Sequence, residues 1–336
     1  MSLETNRISR SSRIKVGITL GDPSGIGAAI IAKALPKVSG KAEFVVIGDK
    51  WVFDKALKQA KRKTQSVKPT KQIYKFIDLD NVKHKNFRFG QVKAAYGKAS
   101  IEYLDKALEL IRKKEIDCLV TSPVSKEAVA LSGLKGFCGH TQYFAQKTGT
   151  KKTAMFLLNK YLKFGLVTTH VPVSSISVQL TRQSLRDTVY LVNISLRKLF
   201  GIRNPRIAVT GLNPHASDNG LIGDEENRVI KPELVNLRRL GLNLDGPLSA
   251  DAAITKAKDN QYDAVIVMYH DQALIPLKLL SPQSGVNLTL GLPFVRTSPL
   301  HGTAFDKASL PHLADPHSLI EAVNLAIKCA LRLKNT

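Results

Sequence analysis

Cysteine is scarce in this chain. Its 336 residues include three, Cys118, Cys138 and Cys329, with no Cys-x-x-Cys spacing. That excludes a disulfide framework or thiolate zinc site as the organising feature and favours free thiols in a reducing compartment. Acidic residues are in deficit: 27 Asp and Glu against 50 Lys and Arg leave a formal charge of +23. Aromatic residues make up 6%, and basic clusters such as Lys58-Gln59-Ala60-Lys61-Arg62-Lys63 have none interleaved. A stacking platform for nucleic acid is therefore not expected. The surplus charge reads as a solvated surface whose field draws in anionic small molecules. No apolar run approaches the roughly 20 residues of a membrane-spanning helix. Residues 1–13 carry three arginines and no apolar stretch of the kind a secretory signal needs. We expect a flexible tail over 1–13 on a cytosolic protein.

Nucleotide fingerprints are missing too. Gly21-Asp22-Pro23-Ser24-Gly25-Ile26-Gly27 links a strand pattern to a helix pattern, but it is neither GxGxxG nor a P-loop. Taken alone it reads as a tight turn.

What is present is an alternation of β-rich runs and helical periods. The strand candidates include Ile14–Leu20, Phe44–Ile47, Ile73–Ile77, Asp117–Thr121, Lys163–Thr168, Arg206–Thr210 and Asp263–Met268. Helix candidates include Ile101–Lys113, Gln183–Lys198, Glu225–Arg239, Ala250–Lys258 and a last one from Pro316 to about Leu333. The alternation predicts an α/β fold with a mainly parallel sheet. The length exceeds the roughly 250–300 residues at which single cores tend to split, so two domains are expected. One takes 14–138 with 281–336, and the other 139–280.

Three histidines share a context. Val167-Thr168-Thr169-His170, Leu212-Asn213-Pro214-His215 and Met268-Tyr269-His270 each close or follow an apolar strand. Ligands of open α/β sheets bind beyond the carboxyl ends of strands, and three imidazoles with an open fourth position suit a catalytic divalent ion. Each histidine alone reads more readily as an isolated polar loop residue, and it is the three in matching positions that point to a metal. Further on, Lys278, Asn287 and Arg296 lie on segments read as loop and short strand. A lysine point charge with an arginine fork fits a phosphate or carboxylate. Thr141, after Gly139-His140, is a candidate cap for the helix that follows, whose amides could face an anion. Leu300-His301-Gly302-Thr303-Ala304-Phe305-Asp306 reads as a connector.

Taken in order, Gly21–Gly27, Gly139-His140-Thr141, Thr169-His170, Leu212-Asn213-Pro214-His215-Ala216, Gly246-Pro247-Leu248-Ser249-Ala250-Asp251, Met268-Tyr269-His270-Asp271-Gln272 and Gly285–Pro293 resemble the 4-hydroxythreonine-4-phosphate dehydrogenase family across about residues 14 to 334. The resemblance implies two α/β/α domains with a cleft between them, as in isocitrate and isopropylmalate dehydrogenases, in an obligate homodimer. It implies NAD- or NADP-dependent oxidation and decarboxylation of a phosphorylated hydroxy acid, assisted by a divalent ion. His170, His215 and His270 would be the ligands, with His270 reaching the partner's ion. Three histidines lean towards zinc or cobalt over magnesium or manganese. The resemblance gives His140, Thr141, Lys278, Asn287 and Arg296 as substrate contacts, with Asp251 nearby as a catalytic candidate. Lys278 is left open between phosphate binding and proton transfer. His301, Gly302 and Thr303 would help hold the dinucleotide. The chain departs from the family pattern at Ala28-Ala29, Ala273 and Leu300.

Overall fold

The computed structural model describes residues 13–61 and 74–335. The expected tail (apart from Arg13), Ile73 of one predicted strand, and Arg62 and Lys63 of the basic cluster lie outside them. By its packing the chain divides into two compact units, Met1–Phe137 with Arg296–Leu331 and Cys138–Val295 with Arg332–Thr336.

The first unit opens with β1 (Lys15–Thr19), α1 (Gly27–Val38), β2 (Glu43–Gly48), α2 (Lys50–Lys61), β3 (Tyr74–Asp78), α3 (Ala94–Arg112), β4 (Cys118–Thr121) and α4 (Lys126–Leu131). Strands β3, β2, β1 and β4 pair in that order, all parallel. Four of the five residues of β1 and all four of β4 are buried, as strands covered on both faces must be. This is why they read as unbroken apolar runs rather than as alternation.

The second unit carries α5 (His140–Thr148), β5 (Ala154–Leu158), β6 (Lys163–Leu166), α6 (Ile176–Gln179), α7 (Arg182–Lys198), β7 (Ile207–Thr210), α8 (Lys231–Arg239), β8 (Leu244–Leu248), α9 (Ala250–Lys258), β9 (Ala264–Val267), α10 (His270–Leu280) and β10 (Val286–Leu290). The chain then returns to the first unit with β11 (Val295–Pro299), which lies beside β4, and with α11 (Phe305–Ala308) and α12 (His317–Lys334). The start of α7 is fixed locally. The Thr181 hydroxyl accepts the Ser184 amide at 3.0 Å, and the Ser184 hydroxyl accepts the Thr181 amide at 3.0 Å, a reciprocal cap that satisfies two otherwise orphaned donors. No described helix is long and apolar enough to cross a membrane.

The α/β expectation holds, with corrections. Strands β5 and β8 were not among the named candidates, and β10 and β11 fall where the segments of Asn287 and Arg296 were read as loop and short strand. Most pairings are parallel as expected, but in the second unit β5 runs antiparallel to both β10 and β6, which makes the pairing there mixed. Its turn to β6 spans only residues 159–162, where Asn159 Oδ1 accepts the amides of Tyr161 and Leu162 at 2.8 and 2.9 Å. A hairpin that short can join only antiparallel strands. The same pairing explains why residues 281–295 pack in the second unit and not the first, since β10 zips onto β5 from Val286↔Leu158 to Leu290↔Ala154.

Helices α3 and α4 meet where a side chain is missing. A Cβ on Gly97 would lie 2.0 Å from the Ala128 carbonyl oxygen and 2.4 Å from the Val129 nitrogen. Backbone atoms on both helices would then have to separate. We expect Gly97→Ala to lower the unfolding free energy by about 1–3 kcal/mol, the usual cost of overpacking a filled core, read as a lower urea midpoint at unchanged m-value.

Candidate active site

Four strands of the second unit, in the order β6-β9-β7-β8, are parallel neighbours. Their carboxyl ends therefore open on one edge, and each is followed by a polar group. His170 follows β6, His270 follows β9, His215 follows β7 and Asp251 follows β8. Strand order sets which of them meet. The imidazoles of His170 and His270 lie with ring centres 5.6 Å apart. The β6–β9 pairing continues past the strands to hold those two loops side by side. Val167 donates to Val267 O at 3.0 Å, and the Thr168 amide and hydroxyl both donate to Met268 O at 3.1 and 2.7 Å.

His215 sits further along the edge, beside Asp251. The Asp251 carboxyl is held below the usual carboxylate range, first by the Ser249 hydroxyl and the Ala252 amide, with the charge of His215 adding to the effect.

Among the described residues, no three His, Cys, Asp or Glu side chains are grouped closely enough to hold an ion by themselves. One chain thus joins two of the three expected ligands and leaves His215 apart. The donors do fit an ion, because two imidazoles sharing a tetrahedral zinc at its usual bond length place their ring centres about 5 Å apart. Asp271 Oδ1 lies 2.7 Å from His270 Nδ1, the carboxylate–histidine arrangement that orients a ring and leaves Nε2 to coordinate.

The loop carrying His215 is strained. Residues His215, Ala216, Ser217, Asp218 and Asn219 have φ of 54°, 53°, 69°, 43° and 56°, a left-handed run costing about 1–2 kcal/mol per residue for side chains with a Cβ. Sequence reasoning missed the group that holds it. Glu226 is 0% exposed. Its Oε1 accepts the Leu212 and Asn213 amides, both at 2.8 Å, and its Oε2 accepts Asn213 Nδ2 at 2.9 Å. Glu225 Oε2 takes a second bond from Asn213 Nδ2 at 2.7 Å. Only glycine fits at 211, where a Cβ would come 2.8 Å from both Glu226 Oε1 and Ala216 Cα.

Gln272, also missed, links the histidine loops. Its Oε1 accepts the Met268 amide at 2.8 Å and the Thr210 hydroxyl at 3.3 Å, while its Nε2 donates to Gly211 O at 3.0 Å. The only sequence signal for either residue was a polar side chain inside an otherwise helical period.

The expected substrate contacts fall as follows. His140 is the first residue of α5, entered from Gly139 at φ 129°. Gly139 is the N-cap, so Thr141 is not. The Thr141 hydroxyl instead lies 3.3 Å from the Thr289 hydroxyl on β10. Asn287, on the same face of that strand, keeps a buried Oδ1 with no hydrogen-bond partner among the described residues. Lys278 lies not on a loop but within α10, exposed, eight residues beyond His270. That is about 12 Å along the helix axis.

In the first unit, Arg296 on β11 is only 2% exposed. Its Nε and Nη2 donate to Thr121 Oγ1 at 3.1 and 2.5 Å. Burial alone pushes its pKa down to about 9.

The glycine loop proves to be a brace. The Ile26 amide donates to Thr303 O at 3.0 Å, and a Cβ on Gly25 would meet that same oxygen at 3.1 Å. Ser318 Oγ accepts the Leu300 amide at 2.9 Å, tying the loop to α12. His301 Nδ1 lies 3.0 Å from Gly302 O. Gly302 is exposed, with open space where a side chain would be, so a ligand can approach its backbone closely. At the loop's other end, Asp22 is 1% exposed. Its Oδ1 accepts the Ser24 amide at 2.9 Å, and its Oδ2 has no partner among the described residues. Burial raises its pKa to about 6 against the pull of those bonds.

Imidazoles and a carboxylate follow the carboxyl ends of parallel strands, in a chain whose other unit is an α/β sheet without a dinucleotide fingerprint, and together they define an α/β enzyme. The chain belongs to the pyridoxal phosphate biosynthetic protein PdxA family, whose model matches residues 40–326. It is 44% identical over 322 residues to the 4-hydroxythreonine-4-phosphate dehydrogenase of Sulfurihydrogenibium sp. (strain YO3AOP1), covering 94% of this chain and 98% of that one. The crystal structure of 4-hydroxythreonine-4-phosphate dehydrogenase from Klebsiella pneumoniae is similar with TM-score 0.85 at 34% identity, covering 96% and 99% of the two chains. A terephthalate 1,2-cis-dihydrodiol dehydrogenase from Burkholderia xenovorans LB400 matches with TM-score 0.63 at 28% identity, covering 94% and 98%.

Asp22 gives a pH prediction. Its folded pKa of about 6 stands above the unfolded value of about 3.9, so the folded state holds the proton more tightly. The associated stability is full below about pH 4 and is lost as pH rises through about 6, worth up to about 3 kcal/mol. Asp22→Asn mimics the neutral carboxyl. It should flatten the stability profile between about pH 4 and 7 and leave the variant more stable than wild type at pH 8. Parallel profiles for the two proteins in denaturant titrations would refute the buried, proton-holding Asp22.

Proposed function

We propose that this chain oxidises 4-phosphohydroxy-L-threonine with NAD or NADP and releases CO2, yielding 3-amino-2-oxopropyl phosphate for pyridoxal phosphate synthesis in the cytosol. The observation that carries the reading, beyond family membership, is the His170–His270 pair on the carboxyl edge that also bears His215 and Asp251. These three histidines would hold a divalent ion, zinc or cobalt by the softness of the donors. When bound, the ion supplies positive charge for the oxygen anions of oxidation and decarboxylation, and the nicotinamide supplies the hydride acceptor.

The chain's own residues do the rest. Arg296 brings a fork and Lys278 a point charge for the substrate's phosphate. His140, Thr141 and the buried Asn287 Oδ1 offer polar atoms for its hydroxyl and amine. Asp251 is the candidate for proton transfer at the histidine edge. His301, Gly302 and Thr303, braced by Ile26, would line the dinucleotide.

A second copy of the chain completes this picture. Val173 is 79% exposed, Leu221 84% and Leu279 80%. Val173 and Leu221 follow His170 and His215 by three and six residues, and Leu279 lies at the far end of the helix that His270 begins. Three rings that do not meet within one chain match a site finished across a two-fold axis. The resemblance assigns His270 to the partner's ion, while the ring contact of 5.6 Å pairs it with His170 in its own chain. Mixing inactive His170→Ala and His270→Ala proteins separates the two arrangements. If His270 serves the partner, the heterodimer has one complete site and regains about half of its normal turnover by counting sites. With both ligands in one chain, no activity returns once subunit exchange is confirmed by mass.

The reaction itself is tested by NADH formation with 4-phosphohydroxy-L-threonine and 4-phosphothreonate side by side, before and after chelation. Turnover of the first that is lost on chelation and restored by zinc or cobalt is the expected result. Preference for 4-phosphothreonate would overturn the substrate, and full activity after exhaustive chelation would overturn the metal. His215→Ala should leave folding intact and abolish the metal-dependent rate.

A further inference from the structure

We infer that Asn213 is a positioning residue that couples the loop of His170 to the loop of His215, so that these two imidazoles meet a divalent ion as a preset pair. The inference rests on the metal role proposed above for the histidines. Asn213 stands two residues before His215, and Ser177, on α6, stands seven after His170. One carboxylate joins them. Glu225 Oε1 accepts the Ser177 hydroxyl at 2.5 Å, and its Oε2 accepts Asn213 Nδ2 at 2.7 Å. The same Asn213 amide nitrogen also donates to Glu226 Oε2 at 2.9 Å. The His170 loop is thereby held at both ends. It leaves β6 at Thr168, which bonds to Met268 O, and it reaches Glu225 at Ser177.

An asparagine suits this place. Its NH2 group carries two donors and no charge, so it lies between two carboxylates and satisfies an oxygen of each. Aspartate would set a third carboxylate against them, and an apolar side chain would leave the buried Glu226 Oε2 without this donor. The Glu225 carboxyl is held below the usual carboxylate range, first by the Ser177 hydroxyl and next by the Asn213 amide. Hydrogen bonds to an ionised group are the stronger kind. Such bonds matter for an ion because the groups behind its ligands set how the ligands are presented, and so how tightly it binds.

The experiment uses the full-length protein stripped of metal. It measures the dissociation constant for cobalt(II) by competition with a chelator, the visible absorption of the bound cobalt, and the thermal midpoint without metal. Ser177→Ala and Asn213→Ala cut the link, whereas Ser177→Thr and Glu225→Gln keep it. In the glutamine variant Oε1 still accepts from Asn213, and Nε2 donates to a Ser177 hydroxyl turned to accept. Each cut should weaken cobalt binding about tenfold and shift its absorption, as the loss of one hydrogen bond to a charged group would. The variants that keep the link should stay within about twofold of wild type. Both cuts break one chain of bonds, so the double variant should bind no more weakly than the weaker single one. Should Asn213→Ala fail to fold, Glu225→Ala, which removes the acceptor common to Ser177 and Asn213, takes its place.

His215→Ala is the control, and unchanged cobalt affinity there would show the metal reading itself to be wrong. If His215→Ala loses affinity while the two cuts lower only the thermal midpoint, the link is structural and the inference falls. A loss confined to Asn213→Ala, additive losses in the double variant, or equal losses in Ser177→Thr and Glu225→Gln overturn it as well.

Discussion

The parallel alignment of β6, β9, β7 and β8 is the constraint on which the chemistry of the second unit depends. Parallel strands send all their carboxyl ends to one edge, so the residues that follow them become neighbours whatever their distance in sequence. His170 and His270 are separated by 100 positions, yet β6 and β9 are adjacent and their rings stand 5.6 Å apart. His215 follows β7, which lies on the far side of β9, and it is drawn towards Asp251 after β8 instead. The pairing of side chains along the edge is thus a copy of the strand order.

Alignment alone would leave those loops loose. Buried polar side chains fix them: Glu226 beneath the loop of His215, and Gln272 between the ends of β7 and β9. A fully buried carboxylate is costly unless its oxygens are taken up by donors. Glu226 receives two backbone amides and a side-chain amide, so its desolvation is offset by bonds that at the same time hold a left-handed run no unbraced loop would keep. Strain stored at one point and satisfied hydrogen bonds beneath it are two halves of one arrangement.

Much of this was legible in the sequence. The strand-ending histidines were, because an apolar run followed by a histidine is a local pattern. The extents of α7, α9 and α12 were close to their periodicity. What escaped depended on partners distant in sequence. Strand β10 is fixed by its pairing with β5, and residues up to Val295 pack in the second unit because of it. Glu226 lies at the start of a helix that opens with a π turn, and its burial depends on the loop packed against it rather than on its sequence neighbours. Thr141 had the identity of a cap, but Gly139, at a φ of 129° that suits glycine, took that position first. Lys278, read as lying on a loop or short strand, sits inside α10, which also contains Pro276.

The same contrast separates three buried charges. Glu226 is satisfied by donors and serves as structure. Asp22 is left with one oxygen unpartnered among the described residues and holds its proton up to about pH 6, so at neutral pH it draws on the stability of the loop it starts. Arg296 donates from Nε and Nη2 to the Thr121 hydroxyl. Net charge could not distinguish them, since a surplus of 23 positive charges describes the surface and none of these residues. What a buried ionisable group does is decided by whether its partners neutralise it, merely orient it, or leave it incomplete.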